Sequence, residues 1–574
     1  MKRPALAVFL ALVFTTIGAD ATTYYVATNG MDTNSGTTTN APWRTIQHAA
    51  NSLAPGDTAL VRGGVYNERV TFNVSGSSNN FLTFQNFPGE NPIVDGTGLP
   101  IPQLVYATGL FEFTSGSCIN IQGFEIQNYQ TNNPAYVPAG IDITGAPHDL
   151  TFISNRVHNI ANSNTSTSAN AYGVAVHGTM PQPISNLVFR DNEIYSNTLG
   201  QSETFSLDGN CNGFEISGNR VHDNNNIGIG FIGYEGVCSD TNQDYARNGV
   251  CRNNIVWNIS SSNNPTYGAN DFSADGVYCD GASNVLIELN QIHNCDLGVE
   301  LASEHKNHAA IDCVCRDNLI WSNNTTGISI GGYSTGVGRT LNCSITHNTL
   351  YHNDTRQSGT GEFELQYLPT SNTFTHNILV ANSQDLFISD YFKQAITNNT
   401  VDWNLYFAPG GSNTSTWMWT NKTFIGFSAY KAATHNDSNS IFADPLFINA
   451  TNQNFHLSTN SPAVNAGDPA FQSLTNEPNE TDIDLQPRVA FGRTDIGADE
   501  LNILSATLGI APPANGQVQV QLNGEPGHPF EVEQSSNLSN WLAFLTNYSD
   551  ATGLISITNP ANLAMSFFRA RMTQ

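Results

Sequence analysis

Short runs of alternating apolar and polar residues recur through the middle of this chain: Gly140 to Thr144, Gly173 to His177, Phe205 to Asp208, Gly228 to Ile232, Gly276 to Asp280, Gly298 to Ala302 and Gly327 to Gly331. Period two marks a strand with one buried face. That face is carried by Ile141/Ile143, Val174/Val176, Phe205/Leu207, Val277/Cys279, Val299/Leu301 and Ile328/Ile330. A second repeat, x-Asn-x-[Val/Ile/Leu], is centred on Asn155, Asn192, Asn219, Asn254, Asn290, Asn318, Asn348, Asn377 and Asn399, at intervals of 37, 27, 35, 36, 28, 30, 29 and 22 residues. Self-similarity at roughly 20–50 residues predicts a solenoid, in which each coil buries its apolar face on its neighbours. The asparagines are expected to form a ladder of side-chain amides in a tight turn. Three residues further on, His158, Tyr195, His222, Trp257, His293, Trp321 and Tyr351 share one register. Rings so aligned stack as a column, which assigns these histidines to structure.

The residues between the buried ones point outward, and stacked coils bring equivalent positions about 4.8 Å apart. One outward row reads Thr144, His177, Asp208, Ile232, Asp280, Ala302, Gly331; the row two residues earlier reads Asp142, Ala175, Ser206, Gly230, Tyr278, Glu300, Ser329. Acids gather on the coils from Asp208 to Glu300, with Glu235, Glu304 and His305 in the following turns and Asp271 and Asp275 leading into Gly276. The two longest local insertions, Tyr234 to Val250 and Ile259 to Ala274, flank the same coils. Loops rising around an acidic strip make a cleft.

The composition fits an all-β chain. It has 574 residues, 12% charged and 39% hydrophobic, with Gly 48, which suits neither a helical bundle nor a coiled coil. The formal net charge of -27 argues against nucleic acid and anionic lipid as partners, both of which are bound through Lys and Arg. Residues 1–21 carry Lys2-Arg3, an apolar run from Ala5 to Phe14 and Ala19-Asp20-Ala21, the pattern of a cleaved export leader. No later stretch is long and apolar enough for a membrane helix. A secreted monomer, extracellular or periplasmic and not inserted in a membrane, is therefore expected. Cys 9 is an odd count, so at least one thiol is free. Cys313 and Cys343 share a register, which allows either a disulfide or stacked thiols.

These features together resemble the right-handed parallel β-helix of the pectate-lyase-like superfamily. The opening strings Tyr24-Tyr25-Val26, Asn29-Gly30, Pro42-Trp43-Arg44-Thr45-Ile46, Pro55-Gly56-Asp57 and Arg62-Gly63-Gly64-Val65-Tyr66 are similar to those that begin such helices. The resemblance implies a capping helix over Trp43 to Leu53. A later string, Ala443-Asp444-Pro445-Leu446-Phe447 through Asp495-Ile496-Gly497-Ala498 to Glu500, resembles the closing segment of many bacterial β-helix proteins. The expected organisation is a β-helix over residues 22–501, a hinge at Pro512-Pro513, and a small C-terminal β-sandwich module over 502–574.

The superfold hosts many functions, so chemistry has to be read from the site. Asp280 and Glu300, roughly 8 Å apart by strand geometry, and Asp208, roughly 10 Å from Asp280, can bracket a glycosidic bond. The leading expectation is a glycoside hydrolase with Asp280 and Glu300 as catalytic carboxylates and Asp208 and Asp275 as modulators or alternates. His177, Tyr278, Glu235, Glu304, His305 and Lys306 are the expected substrate-binding neighbours. Hydrolysis by paired carboxylates needs no cofactor. The alternative is a polysaccharide lyase with calcium on Asp271, Asp275 and Glu304 and a base drawn from His305, Lys306 or His177. A non-catalytic carbohydrate-binding β-helix is the third reading.

Overall fold

The computed structural model describes residues 21–103, 106–392, 396, 398–471, 480–489, 493–501, 507–514, 517–523, 529–550, 554–560 and 567–572. The expected leader lies outside them except for Ala21. Three long sheets of 15, 13 and 13 strands run the length of the solenoid, each coil adding one strand to each sheet. Pairing is parallel until the hairpin of Thr416–Trp419 and Lys422–Ile425. This is the right-handed parallel β-helix that the sequence resembles.

The alternating runs are strands of one sheet: β1 (Pro138–Thr144), β2 (Tyr172–Gly178), β3 (Phe205–Gly209), β4 (Ile229–Ile232), β5 (Asp275–Asp280), β6 (Leu297–Ala302) and β7 (Thr326–Ile330). Register carries the outward row as read from sequence: Asp142 pairs Ala175, then Ser206, Gly230, Tyr278, Glu300 and Ser329 follow in turn. The inward residues form one continuous core from Val26 to Tyr430, with phenylalanines stacked from coil to coil, Phe152 on Phe189 at 4.3 Å among them. The first coil is closed by α1 (Ile46–Ser52), three residues later than expected because Trp43 to Thr45 remain extended. Thr45 caps it through the backbone N–H of His48, and Ile46, Ala49 and Ala50 are buried beneath it.

A buried asparagine ladder pins each coil to the next. The main-chain N–H and the side-chain amide of Asn219 both donate to Asn254 Oδ1, at 2.9 and 3.0 Å, and Asn254 repeats this on Asn290. The ladder runs from Asn155 to Asn377 in the expected order and then to Asn404, not Asn399. Asn404 escaped the pattern because Tyr406 stands where the motif requires an aliphatic residue. Asn399 belongs to a shorter ladder that receives Asn372. The aromatic column stacks from His158 to Trp321, with Tyr195 on His222 at 5.2 Å and His222 on Trp257 at 4.0 Å. Tyr351 leaves it and packs on His352 and Phe455.

All nine cysteines are free and buried. Of the two arrangements open for Cys313 and Cys343, the structure has thiols, directed at the carbonyls of Ala282 and Ala310. The closing segment folds back on the solenoid: Arg488, fully buried, meets Asp317, while Thr494 bonds His347 at 3.1 Å. Beyond it, two three-stranded antiparallel sheets share one apolar cluster around Val520, Leu522, Phe530, Val532, Ile555 and Ile557. Pro512-Pro513 falls within the strand Thr507–Ala514, where the pairing is irregular, and is not a hinge. No helix among the described residues is long and apolar enough to cross a membrane.

Replacing Asn254 by Ala removes five hydrogen bonds at once, one of them to Cys251 Sγ, and leaves the buried N–H of Asn219 without an acceptor. The expected cost is roughly 2–4 kcal/mol, read as a lower midpoint in denaturant unfolding. An unchanged midpoint would show that the ladder does not hold the coils.

Candidate functional site

A glycine at or near the start of β1, β2, β4, β5, β6 and β7, where β3 has Thr204, decides which side chains reach the outer surface. Ala139 pairs with Tyr172 and Ile141 with Val174, while Gly140 and Gly173 drop out of the register between them. A Cβ at Gly140, Gly173, Gly276 or Gly298 would lie 2.4, 2.7, 2.6 or 2.5 Å from Val157, Ile194, Ile292 or Ile320. Each glycine therefore points into the core beside an aliphatic side chain of the next sheet, where only hydrogen fits. The extra inward residue returns the one before it to the outer face. Tyr172 consequently lines the cleft, and Asp275 comes to lie beside Glu300.

The cleft has a volume of about 420 Å³. Its floor carries His177, Asp208, Ile232, Tyr278 and Asp280 from β2 to β5, and Glu203, Glu235 and Glu304 stand around it. The insertions supply the walls. Asp244 accepts from the backbone N–H groups of Gly236 and Cys238, both at 2.7 Å, and so holds Glu235 and Val237 over the floor. Asn264 donates to the carbonyls of Gly200 and Asn225, which sets Tyr267 on the opposite side. Tyr106 closes one end, stacked on His177 with ring centroids 4.8 Å apart.

Among the described residues, five carboxylates and no Lys or Arg line this cleft. Burial, and then the charges of Glu304, Glu235 and Asp208, push the Asp280 carboxyl well above its ordinary range. Asp208 is raised by burial and then by Glu235 and Glu203. Glu203 is lifted to about 7, chiefly by burial. Glu304, at the exposed rim, is raised by partial desolvation and then by Glu235. Its backbone N–H donates to Asp280 Oδ1 at 2.7 Å, and Tyr278 OH donates to its carboxylate at 3.4 Å. His305 Nε2 meets Glu235 at 2.9 Å. Two polar atoms at the cleft are buried without a hydrogen-bond partner, Asp208 Oδ1 and His177 Nδ1.

Of the residues singled out in the sequence, Asp208, Asp280, His177, Tyr278, Glu235 and Glu304 line one cleft. Glu300 occupies the expected register but is not part of the lining. Gln366 donates to it at 3.0 Å and Ser329 at 3.5 Å, and burial, then the Glu304 charge, lifts it to about 8. Asp275 is buried next to Glu300. Asp271 fastens its own loop by accepting from Ser261 and Ser273. Lys306 lines a different pocket. Asp271, Asp275 and Glu304 do not form a ligand group among the described residues, whereas Glu235, Asp280 and His305 bring one ligand atom each to within 4.8 Å of one another. An imidazole beside two carboxylates suits a transition metal better than calcium, which takes oxygen ligands. Tyr106, Tyr172, Glu203 and Tyr267 are contributors that strand periodicity does not mark, because each sits in a loop or ahead of a glycine.

The family model for the Pel9A-like right-handed beta helix region matches residues 24–214. That stretch includes His177 and Asp208 and ends before Glu235, Asp280 and Glu304. The uncharacterized protein YwoF of Bacillus subtilis (strain 168) is 38% identical over 439 residues, covering 76% of this chain and 91% of YwoF. Among solved structures, XylC in complex with xylose aligns over 93% of this chain and 100% of its own, at 13% identity and a TM-score of 0.40. Pectate lyase Pel9A aligns over 84% of this chain and 97% of its own, at 14% identity and a TM-score of 0.41.

The elevated Glu300 makes stability depend on pH. Its folded value of about 8 exceeds the ordinary 4.5, so the folded state holds the extra proton and stability falls as pH rises between those values. Glu300→Gln, a mimic of the protonated acid, is expected to be nearly neutral near pH 5 and more stabilising near pH 8, by roughly 3–4 kcal/mol. Thermal melts of both proteins at the two pH values check this; equal shifts at both would contradict it.

Proposed function

Because the chain belongs, with YwoF, to a family of right-handed β-helix proteins, we propose that its cleft is the active site of a secreted glycoside hydrolase acting on a polysaccharide. The observation that carries this reading is the pairing of a buried Asp280, whose carboxyl is pushed well above its ordinary range, with the rim carboxylate of Glu304 in a cleft that no Lys or Arg lines among the described residues. Glycoside hydrolysis needs one carboxyl that stays protonated and one that is ionised. Asp280 is the proton donor to the leaving glycosidic oxygen. One of its oxygens is fixed by the Glu304 backbone, which leaves the other to carry the proton. Glu304, open to water, is the ionised partner that activates water or attacks the anomeric carbon. Asp208, two coils from Asp280 and roughly 10 Å away by strand spacing, keeps Asp280 protonated and orients sugar hydroxyls. The tyrosines on the floor and walls offer faces on which sugar rings rest.

A second reading has its own support. His177 Nδ1 is buried in the same cleft without a hydrogen-bond partner, 3.9 Å from Asp142 Oδ1, and Glu235, Asp280 and His305 could hold a cation against a uronate carboxylate. That arrangement corresponds to β-elimination, with chelator-sensitive activity and an unsaturated product.

Under the hydrolase reading Asp280→Asn and Glu304→Gln each lower kcat by on the order of 10²-fold or more, while Glu300→Gln, outside the lining, retains kcat within about tenfold of wild type. Steady-state kinetics on folded variants, with and without chelator, test this. Turnover that survives both cleft substitutions, or that disappears with chelator, would overturn the assignment.

A further inference from the structure

The turn that carries Glu304 and His305 into the acidic cleft has a second side. Lys306 and His308 face a separate pocket of about 260 Å³, completed by Thr335, Arg339, Tyr367 and Leu368, and among the described residues no carboxylate lines it. Nine arginines elsewhere, at 62, 69, 156, 190, 220, 252, 316, 488 and 569, each meet a carboxylate. Lys306 and Arg339, like Arg44, Arg247, Arg356, Arg493, Lys422 and Lys431, meet none among the described residues.

The pocket is built into the fold. Gly338 donates to the carbonyl of Ser303 at 2.9 Å and Arg339 to that of His308 at 3.1 Å, which locks the segment before Arg339 against the 303–308 turn. A Cβ at Gly338 would lie 2.5 Å from the His308 carbonyl oxygen and 2.7 Å from that of His305, so only glycine allows the approach. The His308 ring is held on the Tyr234 ring with centroids 3.7 Å apart, which joins this pocket to the cleft wall.

We propose that this pocket is a subsite for an anionic substituent, a carboxylate or a sulfate ester, on a glycan whose cleaved residue is uncharged. The two neighbouring sites have opposite preferences. An anion in the acidic cleft faces five carboxylates, whereas an anion in the pocket beyond the shared wall meets two unpaired cations. The substrate class is therefore an acidic heteropolysaccharide, in which charge stands beside the scissile residue, and not a homopolymer of uronate. This rests on the cleft being the glycan site and is independent of whether the bond breaks by hydrolysis.

The test is equilibrium binding of the full chain to matched glycans: xylotriose with and without a glucuronic acid branch, a galactan trisaccharide with and without a sulfate ester, and trigalacturonate. At least one acidic partner should bind about tenfold or more tighter than its neutral parent, with the difference shrinking as salt is raised. The better partner identifies carboxylate or sulfate as the group recognised. Lys306→Gln with Arg339→Gln should erase the difference without altering affinity for the neutral parent or the melting temperature. Asp280→Asn should leave it intact even where turnover is lost, so the subsite and the hydrolase reading stand or fall separately. Equal affinity for acidic and neutral partners, a preference that survives the double substitution, or trigalacturonate as the tightest ligand would each overturn the proposal.

Discussion

In the coils from Asn155 to Asn404 the outward-facing side chains take their positions from the buried amide ladder. Each asparagine accepts two hydrogen bonds from the coil before it and donates two to the coil after it, so that a slip of one residue would strand several buried polar groups. The ladder fixes register in one sheet, and the chain carries that register around to the next. Loop insertions of different lengths are absorbed between ladder positions without disturbing it. This is how Asp208 and Asp280, 72 residues apart in the numbering, stand in one vertical row.

A lattice this rigid holds like charges at fixed spacing, and the energetic consequence is concentrated in a few coils. Asp208, Asp275, Asp280 and Glu300 are all drawn above their ordinary range by burial first and neighbouring carboxylates second. Elsewhere the same kinds of residues are neutralised: Glu90 by Arg62, Glu288 by Arg316. Crowding acids without counter-charge costs stability, and its return is a carboxyl that keeps its proton near neutral pH. The segment that supplies Glu304 to this cleft also turns its basic residues, Lys306 and His308, toward the opposite pocket.

Much of this was legible in the sequence because a solenoid writes its structure as a period. Strand faces, the outward rows and the acidic coils follow from alternation, and Asp208, Asp280, Tyr278 and His177 can be placed on the floor without coordinates. Three kinds of residue were not legible. Tyr172 sits before a glycine that adds an inward position and reverses parity. Glu203 and Tyr106 belong to turns and loops, where no period applies. Glu300 satisfies every sequence criterion for the site but is enclosed by Gln366, from two coils further along. Asn404 shows the reverse case, a true ladder member hidden by one aromatic neighbour.

The central claim is that the cleft cleaves a glycosidic bond by adding water. The most direct measurement is to incubate the protein with neutral, acidic-hetero and homouronic polysaccharides while following reducing ends and unsaturated-uronate absorbance in the same samples. The account predicts new reducing ends with no rise in that absorbance, in the presence of chelator as in its absence. Absorbance rising in step with the reducing ends would contradict it and identify an eliminating enzyme.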